Sequence, residues 1–268
     1  MPDALDGYTR STFTAEGATR QVFTTGAGPA VIVISEIPGI TPKVAEFGRR
    51  VAAIGCTAVL PSLFGEPGRA TTAGYALSTI TRACVSREFT AFATGRTSPI
   101  TTWLRALAAD AHQRCGGPGV GVVGMCFTGG FALAMMVDDV VLAPVLSQPS
   151  LPFPLSASHK RDLGVSPADL ARVKQRCAEE DDLCVVGLRF TGDRAVPAER
   201  FERLRHELGD KFVAVEIDSS PGNPYGHRKA AHSVLTEDLQ DREGTPTRAA
   251  LDTVLDLFTR RLVSAASG

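Results

Sequence analysis

Three kinds of side chain that together can activate a nucleophile lie far apart in this chain, each just after a run that reads as a β-strand. They are Cys126 in Gly124-Met-Cys-Phe-Thr-Gly-Gly130, Asp193 in Gly192-Asp-Arg-Ala-Val-Pro197, and a histidine after the last strand, His227 or His232. A thiol beside an imidazole beside a carboxylate can attack a carbonyl carbon and form a covalent intermediate. Residues this distant in sequence meet only if the fold brings the ends of several strands to one edge. The elements that would do so therefore decide whether the chemistry is available.

The stretch around Cys126 reads as a short buried strand over 120–123, a sharp turn carrying Met125, Cys126 and Phe127, and a helix from about 128 to 137. Gly124 before the cysteine and Gly129 and Gly130 after it let strand and helix approach closely, which pushes Cys126 out at the apex. A side chain at a helix start faces backbone N–H groups, and these favour a thiolate and can hold an oxyanion. The competing reading is a buried cysteine that behaves as a small hydrophobe among packing glycines. The spacing Gly119-x-Gly121-x-x-Gly124 imitates a dinucleotide-binding fingerprint. That fingerprint needs a strand before its first glycine, and here a loop, Arg114-Cys-Gly-Gly-Pro118, precedes it.

Composition narrows the class. The chain has 268 residues, 28 Lys and Arg against 29 Asp and Glu, and a formal net charge of −1. Charges of both signs are interspersed, so neither nucleic acid nor an anionic membrane is expected as a partner. No apolar run reaches the length of a membrane span, and the N-terminus lacks a secretory pattern, so a cytoplasmic location is expected. The six cysteines show no C-x-x-C spacing, and His112 with Cys115 is only half of a metal pattern. No metal and no cofactor is expected.

The elements that must position the chemistry follow a strand–helix alternation. Residues 1–18 read as a loose lead-in and 20–24 as an edge strand; 30–35 is a β-branched run suited to a strand buried on both faces. Thr41-Pro42 starts a helix that Gly55 ends, and a strand follows at 57–60. Residues 61–97 read as an excursion over the sheet's carboxyl edge, and 99–112 as a helix. Beyond Cys126 come a strand at 140–146, a Pro/Ser-rich loop at 147–161, a helix at 167–178, a strand at 183–190, a helix at 198–208, a strand at 212–217 and a last helix over 247–263. The expectation is a single domain over 1–268, with helices on both faces of a mostly parallel sheet and chemistry at the strands' carboxyl ends.

The chain order nucleophile, acid, histidine is that of α/β-hydrolases. With cysteine at the turn and Glu36 directly after the second strand, the sequence resembles the dienelactone hydrolase family of that superfamily, from about residue 28 to 260. The motifs that carry the resemblance are Ser35-Glu-Ile-Pro-Gly39, Gly124-Met-Cys126, Gly192-Asp-Arg-Ala-Val-Pro197 and His232-Ser-Val234. The resemblance implies an α/β-hydrolase fold and a Cys126–His232–Asp193 triad that opens a small ester or lactone through an acyl-enzyme. It also implies Glu36 near the thiol, helping to generate thiolate, and an oxyanion hole from the N–H groups of Ile37 and Phe127. His232 is preferred to His227 because its successors, Ser233 and Val234, are similar to the family's His-Ser-Phe.

Two departures stand out. The family usually carries glycine two residues after the cysteine, where this chain has Thr128, and a β-branched residue there is expected to shift the turn or narrow the oxyanion site. The family's substrate-carboxylate arginine has candidate matches in Arg82 and Arg87, each of which also reads as a surface residue. The alternative functions on the same fold are a ligand-binding or redox-sensing protein, and an acyltransferase or thioesterase using the same three residues.

Overall fold

The structure is a computed structural model that describes residues 3–266 apart from 73, 77 and 80–97. Its strands are β1 (Thr9–Ala15), β2 (Ala18–Gly26), β3 (Ala30–Ile34), β4 (Thr57–Pro61), β5 (Val120–Met125), β6 (Val141–Ser147), β7 (Val185–Phe190) and β8 (Phe212–Ile217). Its α-helices of known extent are α1 (Pro42–Ala53), α2 (Pro99–Cys115), α3 (Phe131–Met135), α4 (Ala157–Arg161), α5 (Pro167–Glu179), α6 (Ala198–Leu208) and α7 (Pro246–Phe258). One sheet holds all eight strands in the order β1-β2-β4-β3-β5-β6-β7-β8. β1 and β2 pair antiparallel, as do β2 and β4, and every other pair is parallel.

The period of two along β3 separates the two layers. Ala30, Ile32 and Ile34 join the cluster beneath α2, α3, α5 and α6, with Trp103, Leu104, Leu133, Val173 and Phe201. Val31 and Val33 join the opposite cluster, with Val44, Phe47 and Val51 of α1 and Leu251, Val254 and Leu257 of α7. A strand covered on both faces leaves no side for water, so its sequence is continuously apolar. Ser or Thr followed by Pro starts three of the helices by one mechanism. Thr41, Ser98 and Ser166 each accept a backbone N–H three residues on, and the following proline needs no partner for the N–H it lacks.

The glycines of the false fingerprint have packing reasons of their own. A Cβ on Gly121 would come within 2.9 Å of the Phe258 ring of α7, and one on Gly124 would overlap the Thr128 carbonyl. β5 is thus glycine-rich because a helix side chain and its own following turn press against it.

Two expectations are corrected. Residues 9–15 are not a loose lead-in but β1, paired along its length with β2. Its exposed polar residues hide the strand signal, while Phe13 packs edge-on to Trp103 with centroids 5.4 Å apart. The hairpin turns through Glu16 and Gly17, both at positive φ. The helix expected over 128–137 is instead a 3₁₀ turn, Cys126–Thr128, followed by the five-residue α3.

Candidate active site

The cysteine stands where β5 ends. Cys126 has φ +54°, a left-handed conformation that non-glycine residues seldom adopt, and it persists because the surrounding packing fixes it. Gly124 admits the returning turn, and Gly129 lies so close to Pro149 that a Cβ would sit 2.5 Å from its Cα. Thr128 completes the turn. Its side chain, fully buried, points into the junction of β3 and β5. There the hydroxyl accepts the Met125 N–H at 3.0 Å and lies within donating distance of the carbonyls of Ile34 (2.9 Å), Met125 (2.9 Å) and Ser35 (3.3 Å). The β-branched departure is a hydroxyl bolt joining the turn to the end of β3, and the strained conformation at Cys126 is kept.

The acid follows β7. Asp193 is 8 % exposed, and its Oδ1 accepts the Ala195 N–H at 2.9 Å, which fixes the carboxylate on its loop. Its Oδ2 lies 2.6 Å from Nδ1 of His232. The loop carrying His232 is in turn held by Asp238, whose Oδ2 accepts the N–H groups of His232 (2.8 Å) and Ser233 (3.1 Å). Asp238 itself is held below the usual carboxylate range. Burial opposes this but is outweighed by the hydrogen bond from Arg228 and those two N–H groups.

The imidazole of His232 faces Cys126 on its other side. Burial pulls its pKa down, but the negative charge available to Cys126, the hydrogen bond to Asp193 and a hydrogen bond with Cys126 together push it up to about 11. The ring lies between a sulfur and a carboxylate that both favour its cation. A short 3₁₀ turn followed by five helical residues has little dipole to offer at Cys126.

His227 occupies a different environment. Its ring is buried edge-on to Phe190 with centroids 5.1 Å apart, its Nδ1 is 3.4 Å from Gln240 Nε2, and Nε2 has no hydrogen-bond partner among the described residues. Burial lowers its pKa. It is a packed ring.

Glu36 is held by hydroxyl and amide groups. It is 4 % exposed, and its Oε2 accepts Ser233 Oγ–H at 2.6 Å and Gln148 Nε2–H at 3.3 Å, while Oε1 accepts Thr236 Oγ–H. These hydroxyls come from residues one and four past His232, and among the described residues Cys126 is not a hydrogen-bond partner of the carboxylate. Burial pushes its pKa up against those hydrogen bonds. Ile37, next in the chain, has no intramolecular acceptor for its N–H among the described residues. Phe127 follows Cys126, its ring edge-on to Phe64 and Phe153. Arg82 and Arg87 lie outside the described residues.

One neighbour of the sulfur was not foreseen. Ser150, after β6, places Oγ 3.5 Å from Cys126 Sγ and donates its backbone N–H to the Cys126 carbonyl at 3.0 Å. The available signal was position: Gln148-Pro-Ser150 directly follows a strand whose carboxyl end lies beside that of β5. Among the described residues no group of His, Cys, Asp and Glu side chains is arranged to hold a metal ion, and no helix is long and apolar enough to cross a membrane.

The family model for the dienelactone hydrolase family matches residues 18–261. The chain belongs to the dienelactone hydrolase family. Solved structures with the same architecture include a dienelactone hydrolase from Anabaena variabilis ATCC 29413, with TM-score 0.59, 17 % identity, and 95 % of this chain and 98 % of that one covered. A dienelactone hydrolase-like promiscuous phosphotriesterase from metagenomic libraries has TM-score 0.62, 18 % identity, and coverage of 95 % and 98 %. A cold-adapted esterase from an Arctic intertidal metagenomic library has TM-score 0.58, 12 % identity, and coverage of 95 % and 93 %. At these identities the likeness concerns the fold, which is the α/β-hydrolase fold. Among curated proteins no relative matches the chain. Membership in the dienelactone hydrolase family supports an enzyme that hydrolyses esters.

Proposed function

We propose that the protein is a thiol-dependent hydrolase of small carboxylic esters or lactones, with Cys126 as nucleophile, His232 as proton carrier and Asp193 as its orienting carboxylate. The observation that supports this best is the meeting of the three groups at one rim of the parallel sheet: a cysteine at φ +54°, an imidazole that interacts with its sulfur, and Asp193 Oδ2 2.6 Å from the far ring nitrogen.

The chemistry runs in two halves. With its proton on His232, the sulfur adds to the carbonyl carbon, and the N–H groups of Ile37 and Phe127 receive the oxyanion. The tetrahedral species collapses, the carbon–oxygen bond to the leaving group breaks, and His232 gives its proton to the departing oxygen. Water then enters, His232 takes a proton from it, and the hydroxide adds to the thioester. Collapse expels the sulfur, releases the acid and leaves the imidazole protonated again. Asp193 holds the ring in one tautomer and stabilises the cation without taking the proton. A lactone follows the same path, its leaving oxygen remaining tethered to the acid.

Release of p-nitrophenol from p-nitrophenyl acetate tests this. Wild type should show a burst equal to the enzyme concentration and Cys126→Ala none. Equal release from both proteins overturns the proposal.

A further inference from the structure

We propose that Ser150 is a catalytic residue of this site: its hydroxyl donates a hydrogen bond to the Cys126 sulfur in its thiolate form and holds the nucleophile in line with the carbonyl it attacks. This rests on the reading of Cys126 as nucleophile.

The placement of Ser150 is fixed from several sides. Gln148 donates its N–H to the Leu188 carbonyl at 2.8 Å and so ties the loop to β7. Pro149 seats on Gly129 of the cysteine turn, in a space that any Cβ at 129 would occupy. Arg200 of α6, buried and with no carboxylate in hydrogen-bond reach among the described residues, donates Nη1 to the Pro149 carbonyl at 2.6 Å and Nη2 to the carbonyls of Pro152 and His159. Ser150 is thus pressed onto the nucleophile, its own N–H on the Cys126 carbonyl. The side chain is 3 % exposed, and among the described residues Cys126 Sγ is the only hydrogen-bond partner of its hydroxyl. A buried hydroxyl with one available partner directs itself at that partner, since a buried polar group left unpaired is costly.

Donor and acceptor follow from where the proton sits. When His232 holds it, the sulfur has none to give, so the O–H of Ser150 must be the donor. The titratable groups around the sulfur among the described residues are then His232, Asp193 behind it, and Glu36 beyond Gln148. Both oxygens of Glu36 accept hydrogen bonds from Ser233, Thr236 and Gln148. In the second half of the reaction the same hydroxyl faces the thioester sulfur and donates to it as the carbon–sulfur bond breaks. No proton leaves Ser150 in either half.

The test is the pH dependence of Cys126 alkylation by iodoacetamide in the full-length protein, followed by peptide mass mapping because other cysteines are present. A hydrogen bond to a charged acceptor is worth about one pH unit in the acceptor's titration. Ser150→Ala should therefore move the midpoint up by about one unit, slowing alkylation about tenfold below it, and Ser150→Thr, which keeps a hydroxyl, should restore the wild-type profile. A Ser150→Ala profile superimposed on wild type overturns the proposal. So does loss of cooperative melting in both Ser150→Ala and Ser150→Gly, which would make the role structural. Failure of the underlying reading looks different: wild-type alkylation would be unchanged by His232→Ala, whatever Ser150 does.

Discussion

Thr128→Val deletes one oxygen and keeps the shape of a β-branched side chain, so it isolates the bolt between the cysteine turn and β3. Two groups lose a partner in a fully buried setting: the Met125 N–H, at 3.0 Å, and the carbonyl that receives the hydroxyl proton, best placed at Ile34, 2.9 Å away. A buried polar group left unpaired costs about 1–3 kcal/mol, and a carbonyl that keeps other contacts falls at the low end, so the pair should cost about 2–4 kcal/mol. Unfolding entropy of about 2.1 cal/mol/K per residue makes that about 4–7 °C in Tm for a chain of 268 residues. The turn also sets the distance from Cys126 to Ile37, and displacement by a fraction of an ångström lowers kcat by about tenfold or more. Scanning calorimetry and an ester assay on the same samples give both numbers. Thr128→Gly, which installs the family's usual residue, should be less stable than wild type as well. A Thr128→Val protein that melts and turns over like wild type, or a faster Thr128→Gly, refutes the bolt.

Other consequences follow from the same geometry. Asp193→Asn removes the carboxylate from a 2.6 Å contact with His232 and should lower kcat by about three to four orders of magnitude with little change in KM, measured by steady-state kinetics. Glu36→Gln should keep most of the turnover, since its partners are Ser233, Thr236 and Gln148. Because burial raises the pKa of Glu36, its contribution to stability is full below about 4.5, the unfolded value, and declines as pH rises through the folded value. Urea melts of Glu36→Gln should lack that decline. His227 has a lowered pKa, so its contribution is full above about 6.5 and is lost as pH falls below it. His227→Phe should soften that acid-side loss and retain ester turnover, whereas a turnover collapse would move the proton carrier from His232 to His227.

Much of the fold was legible because single residues announce it. Val31 to Ile34 can only be a strand covered on both faces, and Thr41-Pro42 and Ser98-Pro99 mark helix starts by a mechanism visible in the residues themselves. β1 was not legible, since Thr9, Arg10, Ser11 and Thr12 are exposed and only Phe13 signals a buried face. Cys126, Asp193 and a histidine after the last strand, His232 being preferred to His227 on its resemblance to the family's His-Ser-Phe, could be picked out from their places after strands and from chain order. The direction of the Glu36 carboxylate could not. It depends on the hydroxyls of Ser233 and Thr236, roughly two hundred residues away and brought near only by the closed sheet. Ser150 was hidden for the same reason, because its approach to Cys126 is set by Pro149 against Gly129 and by Arg200 beneath the loop.

The central claim is that Cys126 itself carries the acyl group. Acid quenching of the enzyme during turnover of p-nitrophenyl acetate, followed by intact-mass and peptide mass spectrometry, reads this directly. The account predicts one added acetyl group per chain, located on Cys126, and persisting longer in His232→Ala protein that has been acylated with a reactive thioester donor. Turnover with no acetyl on Cys126, or with the acetyl on another residue, would contradict it.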